Sequence, residues 1–248
     1  VLHIAQITDT HLFCDRAQTL WDLQTAASFQ AVIQRLQQLE PQPDILLLTG
    51  DLSQDMTPES YQHLCDELKF LDIPIYALPG NHDDLDTMAK VLKKSSISLQ
   101  NEFTVSNWQF LLLNSTIPDR EEGYLSAETL TWLEQKLQQN RDRFIIIALH
   151  HPPIAVTPKW EKSMLQNADD LFAILDCAPQ VKLVLFGHIH QAFEREREEI
   201  LYLGTPSTCQ QFDENDELAP KQQPGLRLID LTSDGTLKTR VERIAYFS

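Results

Sequence analysis

Residues 45–51 read Ile45-Leu46-Leu47-Leu48-Thr49-Gly50-Asp51. Aliphatic residues and a threonine make a short run with no polar alternation, and a glycine and an aspartate end it. A run of this kind fits a strand covered on both faces. The same form recurs outward in both directions. Residues 2–8 lead into Asp9-Thr10-His11, and residues 75–78 lead into Pro79-Gly80-Asn81-His82-Asp83. Residues 144–149 lead into His150-His151-Pro152-Pro153, and residues 181–186 into Gly187-His188-Ile189-His190.

Further strands are predicted at 108–114, 199–203, 226–231 and 237–244. Helical patterns lie between the early strands. Across 21–39, Leu23, Ala26, Ala27, Ile33, Leu36 and Leu39 share one broad face. Thr57 before Pro58 has the form of an N-cap followed by a proline at the first helical position. That helix is expected to run to about Leu71, with Pro74 closing it. A third helix is predicted over 128–139, and a fourth after Asn167, with Asp170 at the third helical position. The first half therefore reads βαβαβ, and the end is strand after strand. Two packed sheets with helices outside, an α/β sandwich, is the expected architecture. No linker or repeat interrupts the chain, so one domain over 1–248 is expected. Residues 209–225 are expected to form a long exposed loop, with an acidic stretch from Phe212 to Leu218.

Composition narrows the function classes. The chain has 248 residues, 42% hydrophobic and 23% charged, which excludes a disordered or collagen-like chain. It carries 20 basic and 36 acidic residues, net -16, with no basic block, so long nucleic acid is not expected as a partner. A small phosphorylated substrate remains compatible, because bound metal reverses the local field. No apolar run approaches the roughly 18 residues of a membrane helix. Cys14, Cys65, Cys177 and Cys209 are far apart and form no CxxC, which reads as free thiols. With no signal peptide ahead of Val1, the cytoplasm is the expected compartment.

The placement of histidine carries the chemistry. Of eight histidines, six (His11, His82, His150, His151, His188 and His190) follow predicted strands. Only His3 and His63 stand elsewhere, and they are expected to be a strand residue and a helix-surface residue. Ligands in α/β folds gather where strand ends meet loops. Asp9, Asp51, Asn81 and the histidines are too many polar groups for a core without ions to satisfy them. The set suits two divalent metals with mixed nitrogen and oxygen ligands and no thiolate.

Asp9-x-His11, Gly50-Asp51, Gly80-Asn81-His82-Asp83, His150 and Gly187-His188-x-His190 occur in this order. The series resembles the calcineurin-like metallophosphoesterases, with every block of their five-part signature present between about Val1 and His190. The flanking stretches at 7–13, 50–55, 150–153, 187–191 and 205–212 resemble the bacterial class III 3',5'-cyclic-AMP phosphodiesterases. The resemblance implies a four-layer αββα sandwich. It implies one metal held by Asp9, His11, Asp51 and His190, and another by Asp51, Asn81, His150 and His188, with Asp51 bridging. Iron and manganese are the implied metals. The implied reaction is in-line hydrolysis of 3',5'-cyclic AMP, or other cyclic nucleotides, to the nucleoside 5'-monophosphate by a hydroxide bridging the metals.

His82, beside Asn81 and outside that ligand set, is assigned as the catalytic general acid for the departing 3' oxygen. Many relatives steady this histidine with an aspartate three residues beyond the bridging one. Here Gln54 stands at that position and Asp55 follows it, so either Asp55 takes the role or His82 is oriented another way. No tyrosine lies near Asp9 or Asp51, which argues against a tyrosinate–iron site. His151 is a candidate for an outer contact or a phosphate contact, and Phe13, Trp160 and Phe212 for walls around a base. The alternatives are a phosphoesterase acting on other phosphodiesters, 2',3'-cyclic nucleotides or nucleotide-diphospho compounds, and a non-catalytic scaffold. Oligomeric state stays open.

Overall fold

The computed structural model of the chain describes residues 1–213, 219 and 222–246. In chain order the first half holds β1 (Leu2–Ile7), a small ribbon of β2 (Thr19–Leu20) and β3 (Leu23–Gln24), and α1 (Thr25–Gln37). It continues with β4 (Ile45–Thr49), α2 (Pro58–Leu68), β5 (Ile75–Leu78), α3 (Leu85–Leu92) and β6 (Ile97–Ser98). Then come β7 (Glu102–Val105), β8 (Trp108–Leu112), α4 (Ala127–Gln139), β9 (Phe144–Ala148), a 3-10 turn at Pro158–Lys162 and α5 (Ala168–Leu175). The chain ends with β10 (Val181–Phe186), β11 (Phe193–Arg197), β12 (Ile200–Gly204), β13 (Gly225–Leu231) and β14 (Leu237–Arg243).

Two six-stranded sheets result, ordered β14-β13-β1-β4-β5-β6 and β11-β12-β10-β9-β8-β7. Each has a parallel centre, and antiparallel strands extend it at one end or both. The period of two along each apolar strand divides its side chains between two layers. Ile45 and Leu47 of β4 and Ile146 and Ala148 of β9 join the cluster between the sheets. Leu46 and Leu48 pack instead with Phe29, Val32 and Leu36 of α1 and with α2 and α3. Ile145 and Ile147 pack with Leu133 and Leu137 of α4 and Leu171 and Leu175 of α5. Three apolar layers separate four layers of secondary structure, the αββα order.

One polar tie crosses the central layer below the site. Gln6 of β1 is fully buried. Its amide donates to Thr49 Oγ1 at 2.9 Å and to the Phe186 carbonyl of the other sheet at 3.2 Å, and its oxygen accepts from Thr205 Oγ1 at 2.6 Å. A buried polar group in full hydrogen-bond contact specifies how the two sheets align.

The differences from the sequence reading are local. The helix expected over 21–39 starts at Thr25, because residues 19–24 form the β2–β3 hairpin instead. Its buried face is Thr25, Ser28, Phe29, Val32, Ile33 and Leu36, so Phe29 and Val32 replace Leu23 and Ala27. The helix α3 was not expected; its signal was Asp84, whose side chain caps Thr87 N, ahead of Met88 and Leu92 on one face. Thr57 caps α2 as expected, accepting from Ser60 N, and the helix stops at Leu68. Asn167 makes no side-chain cap, because its oxygen accepts from Leu125 N. The exposed loop expected over 209–225 is corrected at its start. Cys209, Gln210 and Gln211 are buried against the site. Most of the acidic stretch at 212–218 lies outside the described residues.

Candidate metal centre

The carboxyl ends of β1, β4, β5, β9 and β10 open onto one rim where the two sheets meet. Backbone bonds stitch the loops that leave it. Asp9 N donates to the Gly50 carbonyl at 3.0 Å, and Gly187 N to the His150 carbonyl at 3.1 Å. The rim brings together every candidate ligand read from the sequence. Asp9, His11, Asp51, His150, His188 and His190 are buried, whereas Asn81 and His82 are half-buried and face the opening.

The donors fall into two overlapping groups. In the first, Asp9 Oδ1 lies 3.3 Å from His190 Nε2, and His11 Nε2 lies 3.0 Å from His190 Nε2. In the second, His150 Nε2 and His188 Nδ1 lie 3.1 and 3.0 Å from Asn81 Oδ1 and 3.3 Å from each other. Asp51 Oδ2 belongs to both, 3.7 Å from His11 Nε2 and 3.3 Å from His150 Nε2.

The far side of most rings determines which nitrogen is left for a ligand. His150 Nδ1–H donates to the Thr49 carbonyl at 2.8 Å, and His190 Nδ1–H to the Gln210 carbonyl at 2.8 Å. His11 Nδ1–H donates to Gln54 Oε1 at 2.7 Å. Each bond puts the proton on Nδ1 and turns the lone pair of Nε2 inward, the arrangement that orients imidazole on a metal. Inward lone pairs 3 Å apart repel unless a cation lies among them. His188 Nε2, in addition, is buried without a hydrogen-bond partner. The combination of two carboxylates, one amide oxygen and four imidazoles with no thiolate fits hard or borderline divalent ions.

Carboxylates and imidazoles of the rim balance one another's charge. Burial alone would raise Asp9 and Asp51, but His190 holds Asp9 below the usual carboxylate range and His150 holds Asp51 well below it. Burial pulls His150 down, yet Asp51 outweighs it and pushes the imidazole up to about 9. His190 is likewise raised against burial, by Asp9. Burial lowers His11 to about 4, with neighbouring cationic rings adding to the effect. Burial followed by His151 and His150 keeps His188 well below the ordinary range.

His82 is reached by Gln54, not Asp55. Gln54 Nε2 donates to His82 Nδ1 at 3.4 Å while Gln54 Oε1 holds His11, so one amide orients both rings. Asp55 points elsewhere, accepting from Cys14 N at 2.7 Å and from Thr57 Oγ1 at 2.8 Å. His82 N also donates to Asp51 Oδ1 at 2.8 Å. A cleft of about 420 Å³ opens beside Asn81 and His82, bounded across the gap by residues 116–121.

Asp83 acts behind the rim without a role having been read for it from the sequence. Asp83 is buried and accepts from Gly80 N, Leu52 N, Ser53 N and Tyr61 Oη, which braces two of the loops together. Burial and the Asp51 charge raise it to about 6 against those bonds. Both ring nitrogens of His151 are engaged within the chain. Its Nδ1 bonds Ser115 Oγ at 2.8 Å and its Nε2–H donates to the Glu121 carbonyl at 3.0 Å, so it pins the loop across the cleft. Phe13 is buried away from the ring contacts of the site, whereas Trp160 and Phe212 meet His188 and His190 edge-on or tilted. The two remaining histidines behave as expected. His3 pairs with Asp230 in the sheet, and His63 sits half-buried on α2 with Nδ1 on the Phe13 carbonyl.

An αββα sandwich with a histidine- and aspartate-lined rim between its sheets defines the metal-dependent phosphoesterase class. The sequence profile described as Calcineurin-like phosphoesterase matches residues 2–192, and the chain belongs to that family. The family implies divalent metal ions as cofactors. A 3',5'-cyclic-nucleotide phosphodiesterase of Nostoc sp. is 50% identical over 248 residues, covering 99% of this chain and 93% of that protein. The 3',5'-cyclic adenosine monophosphate phosphodiesterase CpdA of Escherichia coli is 37% identical over 252 residues, covering 98% and 90%. Among solved structures, a dimetal phosphatase from Danio rerio superposes with a TM-score of 0.69 at 12% identity, covering 99% of each chain. A purple acid phosphatase from yellow lupin superposes at 0.67 with 12% identity, covering 98% of this chain and 51% of that one. At these identities the two structures speak for the fold alone. Among the described residues, no helix is long and apolar enough to cross a membrane.

Proposed function

We propose that this chain hydrolyses 3',5'-cyclic nucleotides, cyclic AMP first among them, to nucleoside 5'-monophosphates at a two-metal centre. One ion would be held by Asp9, His11, Asp51 and His190, and the other by Asp51, Asn81, His150 and His188. The observation that carries this reading is Asp51, whose Oδ2 lies within 3.7 Å of His11 Nε2 and 3.3 Å of His150 Nε2, a single carboxylate shared by two donor groups. The substrate is carried by the named relatives, which match nearly the whole chain.

When bound, two such ions supply Lewis acidity to the phosphoryl oxygens and to the attacking water. The remaining work belongs to the side chains. Because Gln54 donates to its Nδ1, His82 carries its proton on Nε2. Through Nε2–H it donates a hydrogen bond to the 3' oxygen as the ring opens and stabilises the charge that develops there. Asn81, adjacent in sequence, keeps His82 at the centre. Asp83 and Asp51 hold the Gly80–His82 turn in place through its backbone N–H groups. His151 and Ser115 fix the opposite wall.

Iron or manganese is our assignment for the metals, on the mixed nitrogen and oxygen donors. We read residues 1–248 as one working domain and the cytoplasm as its compartment, in keeping with four unpaired cysteines. The test is hydrolysis of cyclic AMP by purified protein reconstituted with manganese, with the products separated. Metal-dependent release of 5'-AMP is expected. No turnover by protein that demonstrably carries its metals would remove the cyclic AMP reading.

A further inference from the structure

The turn that closes the β2–β3 ribbon consists of Trp21 and Asp22, between the paired residues Leu20 and Leu23. Both are left-handed, with φ of 49° and 64°. Two-residue hairpin turns with two positive φ values favour Asn-Gly or Asp-Gly, because a bulky side chain meets its own carbonyl there. A tryptophan at this position works against local stability. It is also 42% exposed, whereas Trp108 and Trp160 are buried and Trp132 is half-buried. A backbone outlier that carries a large exposed ring calls for a functional reason.

The surroundings of the ring supply one. Trp21 lies 6.0 Å from His190 and 6.5 Å from His11, centroid to centroid, both candidate ligands of one metal. It lies 5.3 Å from Phe212, which is 5.9 Å from Trp160, and Trp160 is 5.3 Å from His188. The three aromatic side chains form an arc along the edge of the rim. Trp21 meets His11, His190 and Phe212 at 69–73°, edge to face, and none of these rings stacks parallel upon it. A nucleotide anchored by its phosphate at the rim carries its base one ribose away, beside the ligand set. A residue that served only to pack the half-buried Phe212 would not need a left-handed backbone.

We infer that Trp21 is the nucleobase-stacking residue of the site, held there by the strained hairpin turn and backed by Phe212, and that it selects phosphodiesters bearing an aromatic base. This rests on the cyclic-nucleotide reading above. Stacking on an indole is sequence-tolerant and suits an acidic chain with little cationic side chain to offer the base.

The test uses the manganese-loaded full chain and two probes that differ only in the base, 5'-AMP and ribose 5-phosphate. For Trp21→Ala, the KM for cyclic AMP and the Ki for 5'-AMP should rise by about 10-fold or more, exceeding any fall in kcat, as expected for loss of one base stack. The Ki for ribose 5-phosphate should stay put, and Trp21→Phe should recover most of the loss. Trp21→Gly, which suits positive φ, should match the affinity loss with a thermal midpoint no lower than that of the natural chain. An unchanged Ki for 5'-AMP in Trp21→Ala would overturn the inference. An equal weakening of ribose 5-phosphate would overturn it as well, because the role would then be structural. If the natural chain fails to turn over cyclic AMP, the function reading falls separately. Tryptophan fluorescence still decides the base contact in that case. Quenching by 5'-AMP and not by ribose 5-phosphate, lost in Trp21→Phe, supports it, and equal or absent quenching refutes it.

Discussion

Asp9, His11, Asp51, His188 and His190 all have positive φ, between 45° and 70°. Left-handed backbone is disfavoured for residues with a Cβ and clusters where function compels it. The pattern is the same in both sheets: in Asp9-Thr10-His11 and in His188-Ile189-His190 the outer residues are left-handed and the middle one is buried. Alternation of this kind sends two side chains from one short loop toward one centre. Asp51 is the carboxylate we assign to both donor groups, so Asp51→Ala should reduce metal content from two ions per chain to less than one, as measured by elemental analysis. His82→Ala should keep both metals and lose about 10²- to 10³-fold in kcat on cyclic AMP, the usual worth of a preorganised donor to developing charge. Gln54→Ala, which frees both His11 and His82, should lose about 10- to 100-fold in activity or metal affinity.

The loops behave as elements because each is locked to another loop, not to its own strand. Gly80 illustrates the tolerance: a Cβ there would sit 2.2 Å from Asp51 Oδ1 and 2.3 Å from Asp51 N. The β4 and β5 loops therefore approach backbone to backbone, and only glycine permits it. Asp55 locks the loop after β1 to the start of α2 through Cys14 N and Thr57. Burial would raise its carboxyl, but the Cys14 and Thr57 donors outweigh this and lower it to about 2. A carboxylate depressed in the folded state contributes stability above its ordinary pKa, and that stability is lost as pH falls through the folded value. Asp55→Ala should thus lower stability by about 1–2 kcal/mol at pH 7, the scale of hydrogen bonds to a partly exposed charge. The gap between variant and natural chain should close between about pH 4 and pH 2 in acid titrations of thermal midpoint.

Across the whole molecule, the rim is where two halves are joined by charge instead of by hydrocarbon. Below it, the inter-sheet cluster and the Gln6 network align the sheets. At it, His188 N of one sheet donates to both oxygens of Asp9 of the other, at 3.2 and 3.1 Å. Buried carboxylates and imidazoles converging from both sheets stabilise the fold most when cations are bound among them. Removing both metals with a chelator should lower the thermal midpoint by about 10–20 °C, for two ions each held at about 100 times its dissociation constant and a chain of this size. Calorimetry with and without chelator reads this directly, and an unchanged midpoint would count against a metal centre.

The strands were legible from sequence because a strand covered on both faces needs an apolar residue at nearly every position, and 45–48, 144–149 and 183–186 have them. The candidate ligands were legible because histidine is scarce here and six of eight stand at strand ends. The weaker edge strands were not. Phe193–Arg197 alternates charge on an exposed sheet edge, where pairing comes from β12 and not from burial. Nor was the partner of His82, since Gln54 and Asp55 are adjacent and only the path of the loop after β4 shows which one faces the site. Trp21 read as helix because its neighbours carry helical spacing, yet the ribbon it closes depends on pairing between residues 19–20 and 23–24. Local composition settled which residues would be buried in sheets and which side chains had metal-binding chemistry. Their assembly into two donor groups sharing Asp51 came from long-range packing of two sheets, which no local pattern encodes.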